Sequence, residues 1–181
     1  MNLPESLQTI QQEIALALAS VEEAEVEALV DALASAPRIF VTGMGRVGLA
    51  ARAFAMRLMH LGLQAYWIGD TTTPPLSPGD VLLACSGSGE TAPVRVFAEL
   101  ALQRGGVVAT ITRQPQAAIG RLAHITVGLI AKPSGDLTAQ PMTTLFEQSL
   151  GLLLDAMVLL LMERLGQTEG TMSDRHFNLE R

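Results

Sequence analysis

Three segments of the chain carry side chains whose types and spacing could do chemistry. The densest is Ser86-Gly87-Ser88-Gly89-Glu90-Thr91, followed closely by Pro93. Its glycines let successive backbone N–H groups converge, and a helix starting at Pro93 would add about half a positive charge at its N-terminus. Ser86, Ser88 and Thr91 then each offer a hydroxyl to an anionic oxygen. This combination suits a phosphomonoester, whereas helix capping by Ser88 or Thr91 accounts for one hydroxyl and not for three. The run lacks the Gly-Lys-Ser/Thr ending of a triphosphate-binding loop, so nucleotide triphosphate hydrolysis is not expected. Glu90 would repel a phosphate unless it points away, and no role is assigned to it.

The second segment is Thr42-Gly43-Met44-Gly45-Arg46-Val47-Gly48, formally a G-x-G-x-x-G. Asp70 lies near the spacing of a ribose-binding acid, about 20 residues on, so a dinucleotide site has to be weighed. Against it, Asp70 follows Gly69 and opens the loop Thr71-Thr72-Thr73-Pro74-Pro75, whereas the acid of a dinucleotide fingerprint ends the second strand. A tight strand-to-helix turn would also need glycine for backbone reasons alone. Position decides in favour of a ligand, because open parallel sheets bind at the carboxyl ends of their strands. Gly43 and Arg46 are therefore candidate substrate-binding residues, with Arg46 able to orient either the substrate or its phosphate.

The third segment is Gln140-Pro141-Met142-Thr143-Thr144-Leu145-Phe146-Glu147-Gln148. Thr144-x-x-Glu147 reads as a capping box, which would occupy Glu147 with orphan N–H groups. A carboxylate in a first helical turn also stays ionised and available as a base, so both readings stand. Of the three histidines, His176 lies in a polar tail and is a candidate proton carrier, since an imidazole can both donate and accept a proton. His60 and His124 read as structural.

Elements must bring these segments together. Residues 6–36 carry helical spacing, expected as a hairpin of helices that Pro37 stops. From Arg38 the rhythm changes to short β-branched runs at 39–42, 65–68, 81–85, 107–112 and 125–130, separated by helix-length segments at 49–61, 93–104 and 144–165. That alternation specifies an α/β fold with a parallel sheet. The length of 181 residues suits a single domain over 1–181, made of N-terminal helices (1–36), an α/β core (37–165) and a polar tail (166–181).

Composition narrows the function classes. Apolar residues make up 49% and charged residues 17%, so the chain buries a sizeable core and has too few charges to cover its exterior, which points to a homo-oligomer. A net charge of −6 argues against nucleic acid or an anionic membrane as partner. Lys132 is the sole lysine, giving a Schiff base one candidate, and the sole cysteine, Cys85, reads as a buried small hydrophobe and excludes an intrachain disulfide. No metal-ligand cluster stands out. The N-terminus shows no basic and apolar leader, and the apolar run 150–162 is shorter than the ~20 residues of a membrane span, so a cytoplasmic protein with a buried helix is expected.

Together, Gly43-Met44-Gly45-Arg46, the serine loop, Thr143-Thr144-Leu145-Phe146-Glu147-Gln148 and Arg175-His176-Phe177-Asn178-Leu179 resemble the sugar isomerase (SIS) domain family, and the similarity extends over essentially the whole chain. Within that family they resemble the branch that interconverts D-arabino-hex-3-ulose 6-phosphate and D-fructose 6-phosphate, the step after formaldehyde fixation in the ribulose monophosphate pathway. Phe177 is bulkier than the small residue expected there. The resemblance implies a three-layer sandwich with a five-stranded parallel sheet flanked by helices, a homotetramer, and catalysis without metal or organic cofactor. It also implies Glu147 and His176 as catalytic groups and Gly43, Arg46, Ser86, Ser88 and Thr91 as substrate-binding residues. Two alternatives remain at this level: a non-catalytic sugar-phosphate-binding regulatory module, and an isomerase of another phosphosugar.

Overall fold

The computed structural model describes residues 1–129 and 138–179; Ile130 and Lys132 lie outside these described residues. Two helices, α1 (Leu3–Leu18) and α2 (Glu23–Ser35), precede the α/β part. Asn2 caps α1 through a reciprocal bond pair with Glu5, and both helices pack on a later helix, α6 (Thr144–Leu165). Five parallel strands follow: β1 (Ile39–Gly43), β2 (Ala65–Trp67), β3 (Val81–Cys85), β4 (Val107–Thr112) and β5 (Ile125–Gly128), in the order β2-β1-β3-β4-β5. The crossovers are α3 (Gly45–His60), α4 (Ala92–Gln103) and α5 (Ala118–Leu122), and α7 (Glu169–Ser173) follows α6.

Strand side chains alternate between two faces, and the core divides accordingly. Ile39, Val41, Val81, Leu83, Cys85, Ala109 and Ile111 face a cluster built with α2, α3 and α6. Phe40, Leu82, Ala84 and Val108 face a smaller one completed by α4 and Ile119 of α5. The result is the expected three-layer arrangement. In α6, Phe146, Leu150, Leu154, Met157 and Leu161 are essentially inaccessible to solvent, each contributing about 1.5–3 kcal/mol by leaving water. By length and hydropathy α6 could cross a membrane, but its core face is spent inside the sandwich.

Several boundaries differ from the sequence expectation, with consequences for the site. Helix α3 starts at Gly45 rather than at residue 49, because Gly45 takes a left-handed φ of +57° that turns the chain out of β1 at once. Arg46 thereby sits in the first helical turn. The short helices α5 and α7 carry too few apolar positions to show a helical period. Register aligns Gly43 with Cys85 and Cys85 with Ile111. The loops after β1, β3 and β4 therefore emerge side by side at the carboxyl edge of the sheet.

Candidate active site

Those three loops and the start of α6 enclose a cavity of about 730 Å³. Its lining includes Gly45 and Arg46, the loop residues Ser86, Gly87, Ser88 and Thr91, Arg113, and Pro141 through Thr144 with Glu147. Of the sequence candidates, Arg46, Ser86, Ser88, Thr91 and Glu147 thus converge on one concavity, whereas Gly43 is not among its described lining residues.

The serine loop is built by its glycines. Gly89 adopts a φ of +67°, and a Cβ there would come within 2.6 Å of the Ala117 Cβ. At Gly87 a Cβ would press on the Phe146 ring at 3.0 Å, so the Phe next to Glu147 sets how closely the loop approaches α6. The Ser86 and Thr91 hydroxyls lie 2.8 Å apart, and Ser86 Oγ accepts from the Gly89 N–H at 3.1 Å. Thr91 occupies the N-cap position of α4 but makes no side-chain capping bond, which leaves its hydroxyl to the cavity side. Glu90 points away: its carboxylate accepts from the Ala118 N–H at 2.9 Å, at the start of α5. The carboxylate is thereby kept out of the described cavity lining.

Glu147 is not in a capping box. The N-cap of α6 is Thr143, one residue earlier than Thr144, and no side chain caps it. The carboxylate instead forms an ion pair with Arg46 through Oε1 and the Arg46 Nε. Glu147 is 5% exposed, and its Oε2 is buried with no hydrogen-bond partner. One oxygen is fixed by a cation and the other is left uncommitted, which is the arrangement a base needs. Arg46 has a structural partner, a role its sequence context left open.

Gly43 is required by packing. A Cβ on Gly48 would sit 2.5 Å from the Gly43 carbonyl oxygen, and one on Gly43 would sit 3.1 Å from the Gly48 Cα. The first and last glycines of the G-x-G-x-x-G therefore let α3 lie directly on β1. Asp70 lies elsewhere, paired with Arg52 at 2.7 Å beside Trp67 in a separate groove. Among the described lining residues of the cavity the one carboxylate is Glu147, which Arg46 holds.

His176 lies in another cleft, with Arg57, His60, Asp155, Met162 and Glu169. Its ring stacks on His60 with centroids 5.3 Å apart, while Arg175 donates to the His60 carbonyl at 3.0 Å. Burial, with Arg57 and His176 adding to it, holds the His60 imidazole below its usual pKa. Within one chain the structure does not bring His176 to Glu147. Burial pushes the Cys85 thiol up to about 12, so Cys85 is an inert part of the core.

Two contributors escaped the sequence reading. Arg113 lines the cavity directly after β4, where the same carboxyl-end rule that selected the other loops could have found it. Glu13 of α1 accepts hydrogen bonds from Thr138, Ala139 and Gln140 at 2.6–2.9 Å, and so pins the segment that leads into the cavity rim. Its pairing across 125 to 127 positions left no local signal. Among the described residues no three His, Cys, Asp or Glu side chains converge on a point; the cavity's donors suit an anion.

Residues 32–159 match the SIS domain. A curated relative from Bacillus subtilis, called 3-hexulose-6-phosphate isomerase, is 40% identical over 99% of this chain and 100% of its own. A crystal structure of a Methanococcus jannaschii protein, described as implying a 3-hexulose-6-phosphate isomerase function, superposes with a TM-score of 0.85 at 34% identity, covering 97% of this chain and 99% of that one. The Vibrio vulnificus NanR protein complexed with ManNAc-6P shares the fold at a TM-score of 0.74 and 23% identity over 95% of this chain and 64% of its own.

Proposed function

The chain belongs to the SIS domain family, and from that premise we propose that its cavity interconverts D-arabino-hex-3-ulose 6-phosphate and D-fructose 6-phosphate, in the ribulose monophosphate pathway of formaldehyde assimilation. The observation that carries the reading is Glu147: a buried carboxylate with one oxygen on Arg46 and the other without a hydrogen-bond partner, lining the same cavity as the hydroxyl-bearing loop.

Moving a carbonyl between C2 and C3 needs a proton taken from one carbon and returned to the other through a cis-enediol. From fructose 6-phosphate, Glu147 Oε2 removes the C3 proton, the C3–H electron pair forms the C2=C3 bond, and the C2 carbonyl becomes a hydroxyl. Glu147 then returns the proton to C2 while the C3 hydroxyl loses its proton and becomes the carbonyl. The substrate is neither oxidised nor reduced overall. Arg46 holds the carboxylate in position through their ion pair, which fixes the base before substrate arrives. Ser86, Ser88 and Thr91 receive the phosphate, and Gly43 shapes the turn beside it.

Protons must also pass between the two substrate oxygens, and His176 is the group we assign to this. Since it lies outside its own chain's cavity, it serves the cavity of a neighbouring copy in a homo-oligomer, a tetramer, working in the cytoplasm. A regulatory module that only bound sugar phosphates would need the serine loop but not a buried, aimed carboxylate.

Fructose 6-phosphate incubated with the purified protein in D₂O tests the reading by proton NMR. Loss of the C3 proton signal with formation of the 3-ulose is expected. Phosphosugar binding without exchange would make the protein a sensor, and exchange only with a pentose or heptose phosphate would reassign the substrate.

A further inference from the structure

The charges that line the cavity leave one cation unspent. Arg46 is committed to Glu147, and Glu90 is turned onto the Ala118 N–H. Among the described lining residues the remaining charged group is Arg113, half-buried directly after β4. Two of its donors grip the serine loop: the Arg113 Nε and the Arg113 backbone N–H both reach the Gly87 carbonyl oxygen, at 3.2 and 3.3 Å. A guanidinium carries five N–H donors in a rigid fork. Nε is used for anchoring, and Nη1 and Nη2 have no partner among the described residues.

The ligand proposed for this loop carries more charge than the rest of the cradle can offset. A phosphomonoester holds about −1.5 to −2 near neutral pH, whereas three hydroxyls are neutral and a helix N-terminus supplies about +0.5. Arg46 contributes little net charge, since Glu147 cancels it.

We propose that Arg113, anchored on the Gly87 carbonyl, is the counter-charge that binds the substrate's phosphate dianion through Nη1 and Nη2. The proposal rests on the reading of the cavity as a phosphosugar site. The hydroxyls then fix the position of the phosphate, while Arg113 supplies the preference for a doubly charged group. Binding should accordingly weaken as the phosphate takes up its second proton, below about pH 6.

Calorimetric titration of the native protein, R113M, R113K and S88A with inorganic phosphate and with fructose 6-phosphate at pH 7.5 tests it. R113M should bind both ligands about ten- to a hundredfold more weakly, as expected for loss of charge-assisted bonds. R113K keeps the charge but not the Nε anchor, and should recover to within about fivefold of native. Raised salt should weaken native binding more steeply than R113M binding. If R113K binds as poorly as R113M, Arg113 only braces the serine loop and the proposal falls. If R113M matches the native protein while S88A is weakened, the phosphate cradle stands without Arg113. If the native protein binds neither ligand, the phosphosugar reading fails together with the proposal.

Discussion

Replacing Glu147 by Gln removes the proton acceptor while keeping a carbonyl oxygen for Arg46 to bond. The Arg46 side chain is 66% exposed, so losing its ion pair leaves no buried cation behind. Chemistry and stability should therefore separate: kcat for the isomerisation falls by about 10² to 10⁴, the usual worth of general acid–base catalysis, while the melting temperature moves by no more than about 4 °C. Steady-state kinetics beside thermal unfolding checks both, and a variant that unfolds early yet keeps near-native kcat would return Glu147 to a structural role. The type and position of Glu147 were legible in the sequence, but its partner was not. Thr-x-x-Glu is a local pattern that predicts a capping box, and the real bond spans 101 positions to Arg46. Ser86 and Thr91 are the opposite case, since their joint placement in one loop could be read from six consecutive residues.

The central strands β1, β3 and β4 were readable because each is a short apolar run buried on both faces. The turn at Gly45 and the N-cap of α6 at Thr143 rather than Thr144 were not, since both depend on backbone geometry rather than on periodicity. The role of α1 was hidden as well: nothing in its sequence marks Glu13 as a clamp on residues 138–140. Burial disfavours ionisation of Glu13, but hydrogen bonds from Thr138, Ala139 and Gln140 outweigh it and hold the carboxyl below the usual carboxylate range. The clamp is therefore fully present above the usual carboxylate pKa and is lost as pH falls through the lowered value. Glu13→Ala should loosen the rim formed by Pro141, Met142 and Thr143. We expect faster amide exchange at Ala139 and Gln140 and a KM for fructose 6-phosphate raised about three- to tenfold, the cost of about 1 kcal/mol. Unchanged exchange at those amides would show that the rim holds without α1.

At the scale of the whole molecule, the two ends of one helical layer carry the two halves of the proposed chemistry. Arg46 begins α3 and Glu147 begins α6, while His60 ends α3 beside the cleft that holds His176. At 1.5 Å per residue, about 20 Å of α3 separates Arg46 from His60, so His176 cannot serve the cavity of its own chain from this position. The outer faces of these helices carry large apolar side chains among charged ones: Leu49 and Met56 on α3 and Leu152 and Leu159 on α6 are 49–69% exposed, beside the exposed Arg52 and Asp155. Their seven-residue spacing gives each helix an apolar stripe, and the low charge content foretold such a face without locating it. If a two-fold axis pairs two such faces antiparallel, the His176 end of one chain meets the Glu147 end of its partner. Complementation decides the matter. Chains carrying Glu147→Gln and chains carrying His176→Ala should each be inactive as homo-oligomers, and oligomers mixed from both should regain isomerase activity, because some cavities then draw an intact Glu147 from one chain and an intact His176 from another. With statistical mixing of dimers, half the assemblies contain one chain of each kind, and each of these restores one of its two sites, so about a quarter of native activity should return. Native mass spectrometry confirms the mixing. Mixed oligomers that stay inactive would remove His176 from the neighbouring cavity, and with it the interface geometry argued from the apolar stripes.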